Sequence, residues 1–235
     1  RQAELLPARS VQSLVVGNKD DAADARAIYV AAHQSHLRRV PVKSVEQQAL
    51  QAAHRVRSQW MGTRKALINN LRGLLNEFGV ILPKGKEAGL KALASQRSHV
   101  DAQIPPLMAR LADLQLAALR QIDEVIEAIE HELQAVQKTS PVAQQLRQGP
   151  GIGLLGATAL AATLGDGTGW RNARQFACCM GLTPAHAGTG GKVRMGSISK
   201  KGDPYIRTLL VSGANSLLNC AKKDPWLQAL LQRRP

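Results

Sequence analysis

The chain has 235 residues, enough for two small domains or one large one. Apolar residues make up 44%, so a core can form, and aromatics only 3%, which argues against base stacking as the main mode of recognition. The net charge of +14 points to nucleic acid or another anionic surface. That charge is uneven. Residues 141–235 hold 12 Lys/Arg against 3 Asp/Glu, a net of +9, and residues 1–140 hold 19 against 14. The second part is therefore the expected nucleic-acid face. No apolar run is long enough to span a bilayer, so no membrane partner is expected. No signal peptide is visible, and the start at Arg1 without methionine reads as a fragment. Cys178 and Cys179 are adjacent and Cys220 stands apart, which is not zinc-site spacing; buried thiols in a reducing cytosol are expected.

Residues 5–16 form a short apolar stretch ending at Gly17 and read as a strand. A helix should begin near Asp20 or Asp21 and carry Ile28, Tyr29 and Ala32. Asp21 and Asp24 then share one face of its first turn. Two such carboxylates can hold a hard cation such as Mg²⁺. Their residue type at that place is equally explained by capping and the helix dipole, and the local sequence favours this simpler account.

Two long helical patterns follow. Over 43–78, Ala53, Val56, Trp60, Leu67, Leu71, Leu74 and Phe78 keep 3/4 spacing, interrupted by Arg64, and Gly79 and Pro83 end the run. A shorter helix is expected over 86–97. From Pro105-Pro106 to about Gln137 the stripe is Leu111, Leu114, Ala118, Ile122, Val125, Ile129, Leu133 and Val136. The two runs read as an antiparallel helical hairpin or coiled coil suited to spacing or self-association. Asp123, Glu124, Glu127, Glu130 and Glu132 should form its solvated face.

Thr139-Ser140-Pro141 marks a boundary. Pro150-Gly151-Ile152-Gly153 before an Ala-rich helix resembles the hairpin of a helix-hairpin-helix motif, in which backbone N–H groups meet a phosphate; a plain tight turn between two helices accounts for it as well. Gly165-Asp166-Gly167 closes that unit. A short helix over 171–180 stops at Gly181, and a last helix is expected over about 204–222. Between them lies the most chemically suggestive stretch, Pro184 to Arg207. Gly188, Gly190 and Gly191 allow close backbone approach. Thr189 supplies a hydroxyl, and Lys192, Arg194, Lys200, Lys201 and Arg207 supply cations opposed only by Asp203. A hydroxyl on a basic loop suits phosphate, while a solvated glycine-rich hairpin with scattered lysines explains the same residues.

The motifs in order are Asn18-Lys19-x-Asp21-x-x-Asp24-Ala25-Arg26, a helical hairpin, Pro150-Gly151-Ile152-Gly153, Gly181-Leu182-Thr183-Pro184, Thr189-Gly190-Gly191-Lys192 and Ile198-Ser199-Lys200-Lys201-Gly202-Asp203-x-Tyr205-x-Arg207. Together they resemble the DEDD transposases of insertion sequence family 110, subgroup 1111, over essentially the whole chain. The resemblance implies a mostly α chain in three parts. Residues 1–40 would be the C-terminal remnant of a RuvC-like, RNase H-fold α/β domain, 41–140 a coiled-coil domain, and 141–235 a small, mainly helical transposase domain with a glycine-rich catalytic loop. It implies a DNA recombinase acting on donor and target DNA, with Mg²⁺ at Asp21 and Asp24 as the last two acids of the DEDD set and the first two upstream of Arg1. Guidance by a structured noncoding bridge RNA, assembly as a dimer or tetramer through the coiled coil, and a nucleoid-associated place in a bacterial cytoplasm follow from the same resemblance.

The family's nucleophilic serine has no serine at its match. Thr189 is the positional equivalent. Relatives with Ser-Gly-Thr-Gly-Gly would put the hydroxyl at Ala187, where alanine is either natural or an inactivating substitution. Ser197 and Ser199 match positions that look structural. Gly151, Gly153, Lys192, Arg194, Lys200, Lys201 and Arg207 are the expected nucleic-acid contacts. A non-catalytic binding scaffold and a RuvC-like nuclease using water are the competing readings.

Overall fold

The computed structural model describes residues 4–18, 20–37, 39–165, 167, 169–220 and 225–232. Its framework is a pair of long helices, α3 (Val45–Glu77) and α6 (Pro106–Thr139). Helix α3 starts at a capping box. Ser44 accepts from the Gln47 amide and the Gln47 side chain accepts from the Ser44 amide, which satisfies two of the donors a helix start leaves over. It ends in a Schellman turn, with Gly79 at φ +79° and the Val80 and Gly79 amides returning to the carbonyls of Leu75 and Asn76. Helix α6 opens on Pro106, where the missing N–H costs nothing.

The two helices run antiparallel in a register fixed by charge. Arg57 pairs with Glu130 and Arg64 with Asp123 at 2.6–2.9 Å, so a seven-residue advance along α3 meets a seven-residue retreat along α6. Lys86 adds a second cation to Asp123. Arg64, the polar residue expected at a seam position, is a cross-helix strut. One expectation is corrected: Asp123 and Glu130 belong to the seam between the helices, not to a solvated face. The apolar seam also differs. Helix α6 buries Met108, Ala112, Leu119, Ile122, Ile126 and Leu133, while Leu111, Leu114, Val125 and Val136 of the expected stripe stay exposed. The helix carries two apolar stripes, and the ion pairs select which one faces α3.

Helices α4 (Lys86–Ser95) and α5 (Arg97–Gln103) close the far end of the pair. Helix α4 is the one expected over 86–97, and α5 is a further short helix beyond a break at Gln96. Leu93 and Val100 join Leu71, Leu75, Val80, Leu82, Ile104 and Met108 in one core cluster.

At the other end α8 (Leu154–Leu164) is the hub, packed on α3, α6, α7 (Pro141–Arg147) and α10 (Pro204–Cys220). It is apolar all round, and six consecutive residues from Ala157 to Ala162 are buried. Ser140 ends α6 and caps α7 in the same step, so the expected boundary is a sharp turn between two helices. Ala159, Leu160, Met180 and Ile206 form the second core cluster, drawing in α9 (Ala173–Cys179). Strands β1 (Pro184–Thr189) and β2 (Lys192–Ile198) follow, and a further helix, α11 (Pro225–Gln232), lies beyond the last one expected from sequence.

Residues 5–16 are not a strand. Pro7 starts a short helix, α1 (Ala8–Gln12), and only Leu5 keeps an extended contact, an isolated bridge to Val40. Cys178 and Cys179 are exposed, because α9 turns that end outward; this corrects the expectation of buried thiols. The Cys220 side chain, Asp166 and residues 221–222 lie outside the described residues.

Candidate nucleic-acid interface

The stretch 184–198 is an antiparallel hairpin. Gly190 and Gly191 have φ of +58° and +78°, the two left-handed residues that a type I′ turn requires. The register pairs Thr189 with Lys192 and Ala187 with Arg194. Side chains two apart on a strand share a face, and directly paired residues stand side by side. Thr189, Ala187, Lys192 and Arg194 therefore occupy one face of the hairpin. Every residue of β1 is exposed, as are Lys192 and Arg194. None of these four side chains takes part in a hydrogen bond or ion pair among the described residues.

The basic segment after β2 is held more firmly. Lys200 is the one non-glycine among the described residues with positive φ, +53°. Its amide donates to the Gly181 carbonyl at 3.0 Å, and the Ser199 amide donates to Thr183. Holding a residue with a Cβ there costs about 1 kcal/mol. Lys200→Gly is therefore expected to raise stability by about 1 kcal/mol while weakening DNA binding, read by urea unfolding and duplex titration on one preparation. Unchanged binding would remove Lys200 from the contact set. Arg207 is a structural brace. Its Nη1 donates to the Met180 carbonyl at 3.1 Å and bridges the C-terminal end of α9 to α10.

The other predicted residues lie elsewhere. Gly151, at φ +77°, faces α10: a Cβ there would meet the Gly213 carbonyl oxygen and Leu217 at 2.9 Å. Its smallness serves a close crossing of backbone on helix. Gly153 is the N-cap of α8, exposed and without a side-chain cap. Asp20 is the N-cap of α2 (Asp21–Ala32), accepting from Ala23, and Asp21 and Asp24 sit in the first turn. Helix α2 packs chiefly on α1, and the hairpin strands pack chiefly on each other. Among the described residues no group of three or more His, Cys, Asp or Glu gathers as a metal site. A groove of about 1230 Å³ lined by Leu50, Ala53, Leu133, Val136 and Leu164 contains none of the expected site residues.

Sequence reading passed over one polar cluster. His54 is 4% exposed, and its ring nitrogens contact the Tyr205 hydroxyl at 2.9 Å and Thr158 Oγ1 at 3.0 Å. Burial, then the neighbouring Arg57 charge, lowers its pKa to about 4. A lone histidine within an apolar-periodic run was the available signal.

A mainly helical scaffold presenting a basic hairpin and a braced basic segment is the arrangement a nucleic-acid-binding protein needs. No helix among the described residues is long and apolar enough to cross a membrane. The comparisons narrow the class. A model of the Transposase IS116/IS110/IS902 family matches residues 143–232, and one of the IS110-type DEDD transposase matches residues 5–80. The chain is 42% identical to a Pseudomonas aeruginosa protein named "Probable family 20 transposase", with 98% of this chain and 70% of that protein covered. It is 36% identical to the transposase for insertion sequence element IS1111A of Coxiella burnetii, covering 98% of this chain and 65% of that protein. It is also 36% identical to the transposase for IS1328 of Yersinia enterocolitica, covering 91% and 63%. This chain belongs to the IS110/IS116/IS902 family of transposases, and it spans about two thirds of the length of these relatives.

Proposed function

We propose that the chain carries the strand-joining part of a DNA transposase that works as a site-specific recombinase. The observation that carries this reading is the cross-strand placement of Thr189 against Lys192, with Ala187 and Arg194 on the same exposed face. Thr189 Oγ attacks the scissile phosphorus. A protein–DNA phosphodiester forms, the phosphorus–oxygen bond to the departing strand breaks, the threonine proton is lost and the departing oxygen gains one. Lys192 and Arg194 hold the phosphate and offset the charge that develops. The retained phosphodiester keeps the bond energy for rejoining. Lys200 and Lys201 extend the cationic track, and the loop through Gly153 at the start of α8 offers further N–H groups to a neighbouring phosphate.

Asp21 and Asp24, one turn apart, have the right donors for Mg²⁺, which commonly completes its set with phosphate oxygens and water. They fit it as two of its ligands, within a larger DEDD set. When bound, the ion would polarise the phosphoryl oxygen. Self-association as a dimer or tetramer is supported by the exposed stripe of Leu107, Leu111, Leu114 and Val125 on α6. A structured guide RNA completes the proposal, and the charge after residue 141 supports it as a generic polyanion.

The test uses the full-length protein with Mg²⁺, its element's noncoding RNA and end-labelled DNA. A protein–DNA adduct that survives denaturation is expected, with Thr189→Ala lowering it by roughly 10³-fold or more. An adduct seen only with Ala187→Ser would move the nucleophile to that position. Cut ends with no adduct would establish a water-using nuclease, and no cutting would leave a binding scaffold.

A further inference from the structure

Three helices distant in sequence meet at a single buried histidine. His54 lies on α3, Thr158 on α8 and Tyr205 in the first turn of α10. Thr158 is fully buried, and its hydroxyl donates to the Leu154 carbonyl at 2.8 Å. A hydroxyl has one proton, so toward His54 Thr158 Oγ1 can only accept. The proton shared at 3.0 Å therefore belongs to His54 Nε2. Neutral His54 then has a bare Nδ1, and the Tyr205 hydroxyl donates to it at 2.9 Å. The chain of donors runs in one direction, from the phenol through the imidazole and the threonine to a backbone carbonyl. It fixes both tautomer and charge.

The surroundings oppose a positive charge on the ring. Arg57 on α3 is the charged neighbour, itself bound to Glu130 of α6. The Tyr205 phenol is also within reach of Ser58 and Arg57, and Asp203 lies just before it in the chain. No carboxylate partner for His54 itself is present among the described residues.

Tyr205 is placed to transmit this anchoring. The Asp203 side chain accepts from the Tyr205 amide at 2.8 Å. Arg207, two residues on, grips Met180. Just upstream, Lys200 and Lys201 cross Gly181 at the end of α9. The basic segment is thus held on one side by the hairpin and on the other by a phenol seated on α3.

We propose that His54 is a positioning residue: as the neutral Nε2–H tautomer it ties Thr158 of α8 to Tyr205 of α10 and so seats the basic segment Lys200–Arg207 for contact with DNA phosphate. The phosphate part rests on the function proposed above; the seating itself does not. A histidine whose pKa falls from 6.5 to about 4 on folding contributes its stability fully above pH 6.5 and loses it as pH falls toward 4. Burial raises the Tyr205 phenol above its ordinary pKa, which favours the protonated, donating form. The seat is therefore acid-sensitive.

The experiment follows the His54 ring nitrogens of the full chain by side-chain NMR from about pH 8 to about pH 4, alongside amide exchange in the first two turns of α10. An Nε2–H tautomer that persists below about pH 5 is expected, with α10 exchange, taken relative to the intrinsic rate of each amide at that pH, rising about tenfold as the ring charges. Tyr205→Phe should raise that exchange already near pH 7.5. His54→Gln, which can bridge both partners but cannot charge, should keep it flat across the range. Duplex affinity at fixed salt, wild type relative to His54→Gln, should fall over the same acid window. An Nδ1–H tautomer, titration near pH 6.5, or unchanged exchange in Tyr205→Phe would each overturn the seat. Intact NMR and exchange behaviour with no relative change in duplex affinity would keep the seat and remove its phosphate role.

Discussion

Gly202→Ala is expected to destabilise the chain by about 3 kcal/mol or more, and Gly181→Ala by a similar amount. The two glycines face one another across a single backbone crossing. Gly181 ends α9 at φ +69° and Gly202 precedes α10 at φ +94°. A Cβ on Gly202 would press well inside contact distance of the Cys179 carbonyl oxygen, with Cys179 C at 3.1 Å and Met180 Cα at 3.3 Å behind it. A Cβ on Gly181 would strike the Lys201 amide and carbonyl, and Lys200 C at 2.7 Å. Backbone cannot rotate aside as a flexible side chain can, so the crossing must open. Its opening frees the Lys200 amide from Gly181 and loosens Arg207 on Met180. The penalties should not add, because after the first substitution has opened the crossing the second meets little. Urea unfolding of both single variants and the double variant checks this. Losses below about 1 kcal/mol, or full additivity, would mean the crossing is not close-packed.

Much of the scaffold is legible locally. The periodicity over 43–78 and 105–137 gives α3 and α6 because each helix carries its own stripe and end signals: Gln47 three residues after Ser44, Gly79 at a C′ position, Pro106 at a first turn. The face they bury was not legible. Helix α6 offers two stripes of similar quality, and Arg57–Glu130 and Arg64–Asp123 decide between them from 73 and 59 residues away. Short elements fared worst, since α1, α5 and α7 each contain fewer residues than two or three turns can mark. The strand expected at 5–16 failed because a run of apolar residues has no inherent period, and Pro7 chose a helical start.

The site divides in the same manner. Gly190-Gly191 announces a turn whose strands then place Thr189 beside Lys192, a consequence of two-residue alternation alone. Gly151 has a role its own turn does not announce: a glycine before a helix suggests phosphate, and its close neighbour is Gly213 on α10, 62 positions later. His54 is silent for the same reason: Tyr205 is 151 residues away. What a residue does for its own turn can be read from the chain; what it does for a distant helix can be read only once that helix has arrived.

The hairpin cations make the second large prediction. A side chain that neutralises one phosphate releases counterion, so removing it lowers the slope of log K against log salt by about 0.9 and costs roughly tenfold in affinity near 0.1 M salt. Lys192 and Arg194 lie on the Thr189 face, two apart on one strand, spaced to meet successive parts of one backbone. The double substitution Lys192→Ala/Arg194→Ala should therefore lower the slope by nearly 2 and the affinity by about 100-fold. The necessary comparison, for each single hairpin substitution, is an equal change of net charge elsewhere. Lys91 is exposed on α4, at the far end of the helical pair, where the first core cluster lies. Lys91→Ala should leave the slope unchanged within about 0.2 if phosphate contacts are local. Titration of a short duplex at four or five salt concentrations separates the cases. A hairpin variant that binds as the wild type does would remove this face from the DNA path. Equal losses from Lys91 and from the hairpin would show that the whole basic surface, and not the Thr189 face, gathers the polyanion, and the hydroxyl would then have no phosphate brought to it.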